Sequence, residues 1–102
     1  MNFIDKIKTE ALRHLDKEDQ LYLYGSRARN DNMQNSDWDL LIITSNHYSH
    51  NDSFDKYIYP LVLFGQKERE DISVQTYSQD EWNEINPSLF YLNVMKDRIR
   101  II

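Results

Sequence analysis

Residues 25–43 read GSRARNDNMQNSDWDLLII. Gly25-Ser26 follows an apolar run, Leu21-Tyr22-Leu23-Tyr24, and Asp37-Trp38-Asp39 leads into another, Leu40-Leu41-Ile42-Ile43. Ten residues separate Ser26 from Asp37. A small-residue turn between a strand and a helix lets backbone N–H groups face an anion, and Gly25 allows close approach. The Ser26 hydroxyl adds a donor. Two carboxylates at i and i+2 of a strand point to one face, with Cα atoms roughly 6.6 Å apart. Such a pair suits divalent metal, and the neighbouring turn suits phosphate.

The G-S, ten residues, D-x-D pattern resembles the minimal nucleotidyltransferases of the DNA polymerase beta-like superfamily. The motif covers residues 25–39, and a weaker likeness in element order extends over nearly the whole chain. The resemblance implies an α/β fold, a small mixed sheet with helices packed mainly on one side. It also implies that Asp37 and Asp39 hold Mg²⁺, that Gly25 and Ser26 hold the triphosphate of ATP, and that AMP passes to a hydroxyl. Single-domain proteins of this kind are often encoded with a small helical partner of the HEPN type, and some modify that partner as an antitoxin.

Bulk properties narrow the field. One hundred and two residues make one domain, 1–102. Apolar residues are 40% of the chain and thirteen are aromatic, which reads as globular. Net charge is −5 with scattered Lys and Arg, which argues against a nucleic-acid binder. There is no Cys, so disulfides and thiolate chemistry are excluded. No apolar run approaches the length of a membrane span. The N-terminus is not a signal peptide, and a soluble cytoplasmic protein is the default expectation. A homo-oligomer is compatible with the chain. An antibiotic-like acceptor would need a substrate domain from a second subunit.

Along the chain, Phe3, Ile4, Ile7, Ala11, Leu12 and Leu15 form a helical stripe over residues 2–15. Asp16–Asp19 reads as a polar break and Leu21–Tyr24 as a strand. A short helix should open at Ser26, placing Arg27 and Arg29 near bound phosphate oxygens. Solvated arginines on a helix face are the plainer alternative. The polar loop Asn30–Ser36 delivers a strand over 37–44 that is apolar on both faces beyond Asp39. A helix should follow from Asp52 or Ser53, disturbed near Tyr57–Tyr59 by Pro60, with Gly65 as its C-cap. Glu70–Tyr77 alternates as a strand. Ser78–Glu81 is a capping box with Trp82 and Ile85 inward. Pro87 interrupts, Leu89, Phe90 and Val94 suggest a further helical turn or two, and 98–102 is a short strand or tail. His14, His47 and His50 do not read as a zinc site.

The resemblance implies a third carboxylate on the strand beside the D-x-D strand. Asp71 is the candidate, for metal and for catalysis. The resemblance would put that acid nearer Ser73 or Gln75, two or four residues later. If Asp71 falls short, the alternative is a degenerate module that binds nucleotide or partner without turnover.

Overall fold

The computed structural model describes residues 1–102. Its elements run α1 (Phe3–Leu12), β1 (Gln20–Tyr24), α2 (Ser26–Arg29), β2 (Trp38–Thr44), α3 (His50–Ser53), a π-helical turn (Phe54–Ile58), α4 (Tyr59–Lys67), β3 (Ile72–Ser78), α5 (Gln79–Glu84), α6 (Leu89–Asp97) and β4 (Ile99–Arg100). The strands form one mixed sheet in the order β3-β2-β1-β4. β1 is antiparallel to both β2 and β4, and β2 is parallel to β3.

Register decides which side chains share a face. Leu23, Leu40 and Val74 lie in one row, and Leu21 and Ile42 in the next. These residues join Ile7, Ala11, Tyr57, Leu61 and Ile72 in the larger core, beneath α1 and α4. The opposite face carries Tyr22, Leu41 and Ile43, packed against Trp82 of α5 and Val94 of α6. Full burial of one such aliphatic side chain stabilises by roughly 1.5–3 kcal/mol. The double covering of β2 is what its apolar run foretold.

Pro60 has the expected effect in a particular form. It has no N–H to give, and the turn before it widens so that Tyr59 N–H donates to Phe54 O. Pro60 itself lies in the first turn of α4, where a missing donor is tolerated. The helix begins earlier than expected, at His50, capped by Ser49. Ser78 and Glu81 form the expected capping box. After Pro87 the chain makes a full helix, α6, capped by Ser88 rather than one or two turns.

Gly65 is not the C-cap. It is buried within α4, and the left-handed residue of the following turn is Arg69. A Cβ on Gly65 would meet Glu70 O at 2.8 Å and Ile72 Cγ1 at 2.9 Å. The glycine therefore lets α4 press against the turn into β3. Gly65→Ala gains about 1 kcal/mol of helix propensity but forces an overpacked contact of about 1–3 kcal/mol against backbone. We expect a lower melting temperature, and a variant that melts at or above the parent would show that the turn yields.

Candidate active site

The site is assembled at one end of the sheet, where β1 leaves it and β2 enters. Gly25 adopts φ +74°, ψ −159°, a conformation that favours glycine. A second constraint applies at the same residue: a Cβ there would stand 2.5 Å from Asp39 Oδ2. Glycine is what lets the turn and the carboxylate touch. Ser26 follows as the first residue of α2.

Asp39 is the cross-strand partner of Tyr24 on β1 and of Ser73 on β3. It is partly buried, whereas Asp37 is exposed just before the strand. Burial first, then the charge of Asp37, pushes the Asp39 carboxyl above its ordinary range, and Arg29 opposes the shift. The neighbouring Tyr24 phenol is pushed up to about 12 by burial, by Asp39 and by Tyr77. A carboxylate whose charge is disfavoured by burial and by a neighbouring acid makes a place where a cation is welcome, and hard oxygen donors suit Mg²⁺.

Gly25, Ser26, Asp37 and Asp39 are thus brought together as the spacing predicted. The two arginines lie beside them, already engaged. Arg27 donates to the carbonyls of Gln34 at 3.1 Å and Ser36 at 3.0 Å. Its guanidinium lies over the Trp38 ring, 4.4 Å from the centroid, and reaches Glu70 at 3.9 Å. Arg27 therefore fixes the loop that delivers Asp37. Arg29 is bound by Asp31 at 3.0 Å and by Asp97, at the end of α6, at 2.6 Å.

Asp71 precedes β3 and is exposed. Its carbonyl accepts from Trp38 N–H at 2.9 Å, which sets it beside Asp37. Ser73, not an acid, is the residue opposite Asp39. No three acidic or imidazole side chains in the chain gather closely enough to hold a metal together.

Sequence reasoning missed the wall that α6 gives the site. A cavity of about 390 Å³ lies between the Gly25 turn and α6, reached by Phe90, Asn93, Val94 and Asp97. Their spacing of three, four and seven marks one helix face, a signal that was present. Nothing local tied that face to Gly25, more than sixty residues earlier.

No curated protein matches this chain in sequence. Two crystal structures share the fold: a toxin–antitoxin with AMP-PNP, and a mutant of the toxin–antitoxin MntA-HpeT. The first is 15% identical with a TM-score of 0.67, over 97% of this chain and 72% of its own. The second is 13% identical with a TM-score of 0.65, over 100% of this chain and 73% of its own. At these identities the likeness is one of fold. The family model described as Polymerase beta, Nucleotidyltransferase matches residues 5–102, and with the sheet order and the Gly25–Asp39 contact already described, the chain belongs to that family.

Proposed function

We propose that this protein moves AMP from ATP to a hydroxyl on a partner protein, in the cytoplasm and in the role of an antitoxin. The observation that carries the reading is the close approach of the Gly25 turn to Asp39, which sets the small-residue turn against one of the two carboxylates. Family membership supports nucleotidyl transfer, and the two toxin–antitoxin neighbours support a protein acceptor, for which we propose a small helical partner of the HEPN type.

In this mechanism Asp37 and Asp39 would hold the metal, and the chemistry that Mg²⁺ would supply there is neutralisation of the phosphate charge. Gly25 leaves room for the triphosphate, and the Ser26 hydroxyl donates to a phosphate oxygen. Arg27 keeps Asp37 in place through the carbonyls of Gln34 and Ser36. Asp71, beside Asp37 at the start of β3, is the acid we assign to take the proton of the acceptor hydroxyl.

A second reading has an observation of its own. Ser73 stands opposite Asp39, where a third acid would complete the set, and this favours a module that binds nucleotide without turnover. Incubation with labelled ATP, Mg²⁺ and the product of the adjacent gene separates the two. Label transfer that disappears in Asp71→Asn, while ATP binding stays largely intact, is the expected result. Binding without transfer in the parent protein would establish the module instead. Absence of both binding and transfer would overturn both readings.

A further inference from the structure

The transfer mechanism leaves one hydroxyl at the site without a role. Ser73 lies on β3 as the register partner of Asp39 on β2. Its neighbours Ile72 and Val74 belong to the larger core, so the alternation of the strand turns Ser73 to the opposite face, the one Asp39 shares. Adjacent strands lie about 4.8 Å apart, and the parallel pairing fixes the serine at that remove from the carboxylate's strand. The side chain is partly exposed. No hydrogen bond within the chain engages its hydroxyl, and no buried polar side-chain atom lacks a partner, so this hydroxyl opens to the site rather than into the core.

Two other hydroxyls lie near Asp39, those of Tyr24 and Ser26. Ser26 belongs to the phosphate turn, and Tyr24 packs edge-on against Phe90, with ring centroids 5.7 Å apart. Ser73 differs from both in having a carboxylate two residues earlier in the chain, on the same face. That carboxylate is Asp71, the acid assigned to take the acceptor's proton. A hydroxyl held on the sheet beside the reacting centre has given up its translational freedom in advance, an advantage that no diffusing acceptor has.

We infer that the site adenylylates its own Ser73. The inference rests on the nucleotidyl-transfer reading and names a second acceptor for it, within the chain. Ser73 Oγ attacks the α-phosphorus of ATP and forms a phosphoester bond. The bond from that phosphorus to the oxygen shared with the β-phosphorus breaks, and pyrophosphate leaves with the electron pair. The hydroxyl proton passes to the Asp71 carboxylate, and nothing is oxidised or reduced. The adenylate then stands across from Asp39, where the next ATP has to bind, so each chain is modified once and closes its own site.

Purified protein incubated with ATP and Mg²⁺, with no partner present, tests it by intact mass and peptide mapping, with Mg-ATP affinity measured by calorimetry in parallel. The parent should gain a single adenylate, on the peptide carrying Ser73, at a rate that does not change when the protein is diluted. Ser73→Ala should gain none, and Ser73→Thr, which keeps a hydroxyl on the strand, should restore the gain. Asp71→Asn should slow it by roughly a hundredfold. An unmodified parent that still passes label to the product of the adjacent gene would overturn the inference and leave the transfer reading standing. So would an adduct on Tyr24 or Ser26, an adduct that persists in Ser73→Ala, or a rate proportional to protein concentration, which would put the acceptor on a second copy. A parent that modifies neither itself nor a partner, whether or not it binds Mg-ATP, would overturn both.

Discussion

Asp39→Asn should lose Mg-ATP binding by roughly a hundredfold or more, because a charged metal ligand is removed, yet melt no lower than the parent in metal-free buffer. The two effects have opposite signs for one reason. The Asp39 carboxyl is pushed above its ordinary value by burial and by Asp37. A carboxyl whose folded value is raised favours the folded state most when protonated. Its contribution to stability is fully present at low pH and declines as pH rises from the unfolded value of 3.8 through the folded one. At neutral pH the parent therefore carries a charge that its fold disfavours, and Asn removes it at nearly constant volume. Calorimetry with Mg-ATP and thermal melts in a chelator are the two measurements. Equal nucleotide affinity in the two proteins would sink the metal assignment. A clearly lower melting temperature in Asp39→Asn would mean that the carboxylate is structural.

Asp19→Ala should show the reverse pattern, a large loss of stability with the nucleotide site intact. Asp19 is 4% exposed and lies at the other end of β1. It accepts from Asp16 N–H at 2.7 Å, Ser45 N–H at 2.7 Å, Ser45 Oγ at 2.8 Å and the Tyr57 hydroxyl at 2.6 Å. Tyr57 is fully buried, so its hydroxyl would lose a partner in the core. Each buried donor left unmade costs about 1–3 kcal/mol. With some entry of water, a total of about 3 kcal/mol is expected, a large part of the stability of a small domain. Urea denaturation measures it, and a change below about 1 kcal/mol, no more than an ordinary point substitution, would refute the role. Where the variant is folded, Mg-ATP affinity should equal that of the parent.

The same network has an acid limit. The Asp16 carboxyl is held down at about 2, chiefly by the Tyr48 hydroxyl, then by Asn46 and Lys56. A lowered carboxyl contributes stability above its unfolded value of 3.8, and that contribution is lost as pH falls toward 2. Acid should therefore loosen this end of the sheet.

These two ends differ in how far the sequence disclosed them. The Gly25–Asp39 end was legible because its parts lie on adjacent strands within one short stretch, and each abuts an apolar run that fixes its place. The Asp16–Asp19 end read only as a polar break. Its meaning depends on Ser45, Tyr48 and Tyr57, which arrive from other elements, and no spacing rule relates them. The arginines show a different limit. Their positions beside the site were legible, but not that Arg27 would spend its donors on the carbonyls of Gln34 and Ser36. Gly65 misled for a third reason. Glycine near a helix end suggests a cap, whereas here it is the close approach of Glu70 and Ile72 that excludes a side chain. Asp71 illustrates register: the resemblance pointed to Ser73 or Gln75 for the third acid, and it is Ser73 that stands across from Asp39.

The antiparallel pairing of β1 with β2 has a consequence for how such a protein can change over time. Gly25 and Asp39 belong to a single hairpin-like piece of chain, residues 20–44, whose two halves are neighbours in the sheet. Drift in distant parts of the gene leaves their mutual fit untouched. The surroundings that would discriminate among ligands and acceptors come from elsewhere: position 73 by way of a helical crossover, and residues 90–97 from beyond a further helix. A lineage can therefore exchange those later parts, retune them or let them decay, while the inherited hairpin is handed on whole.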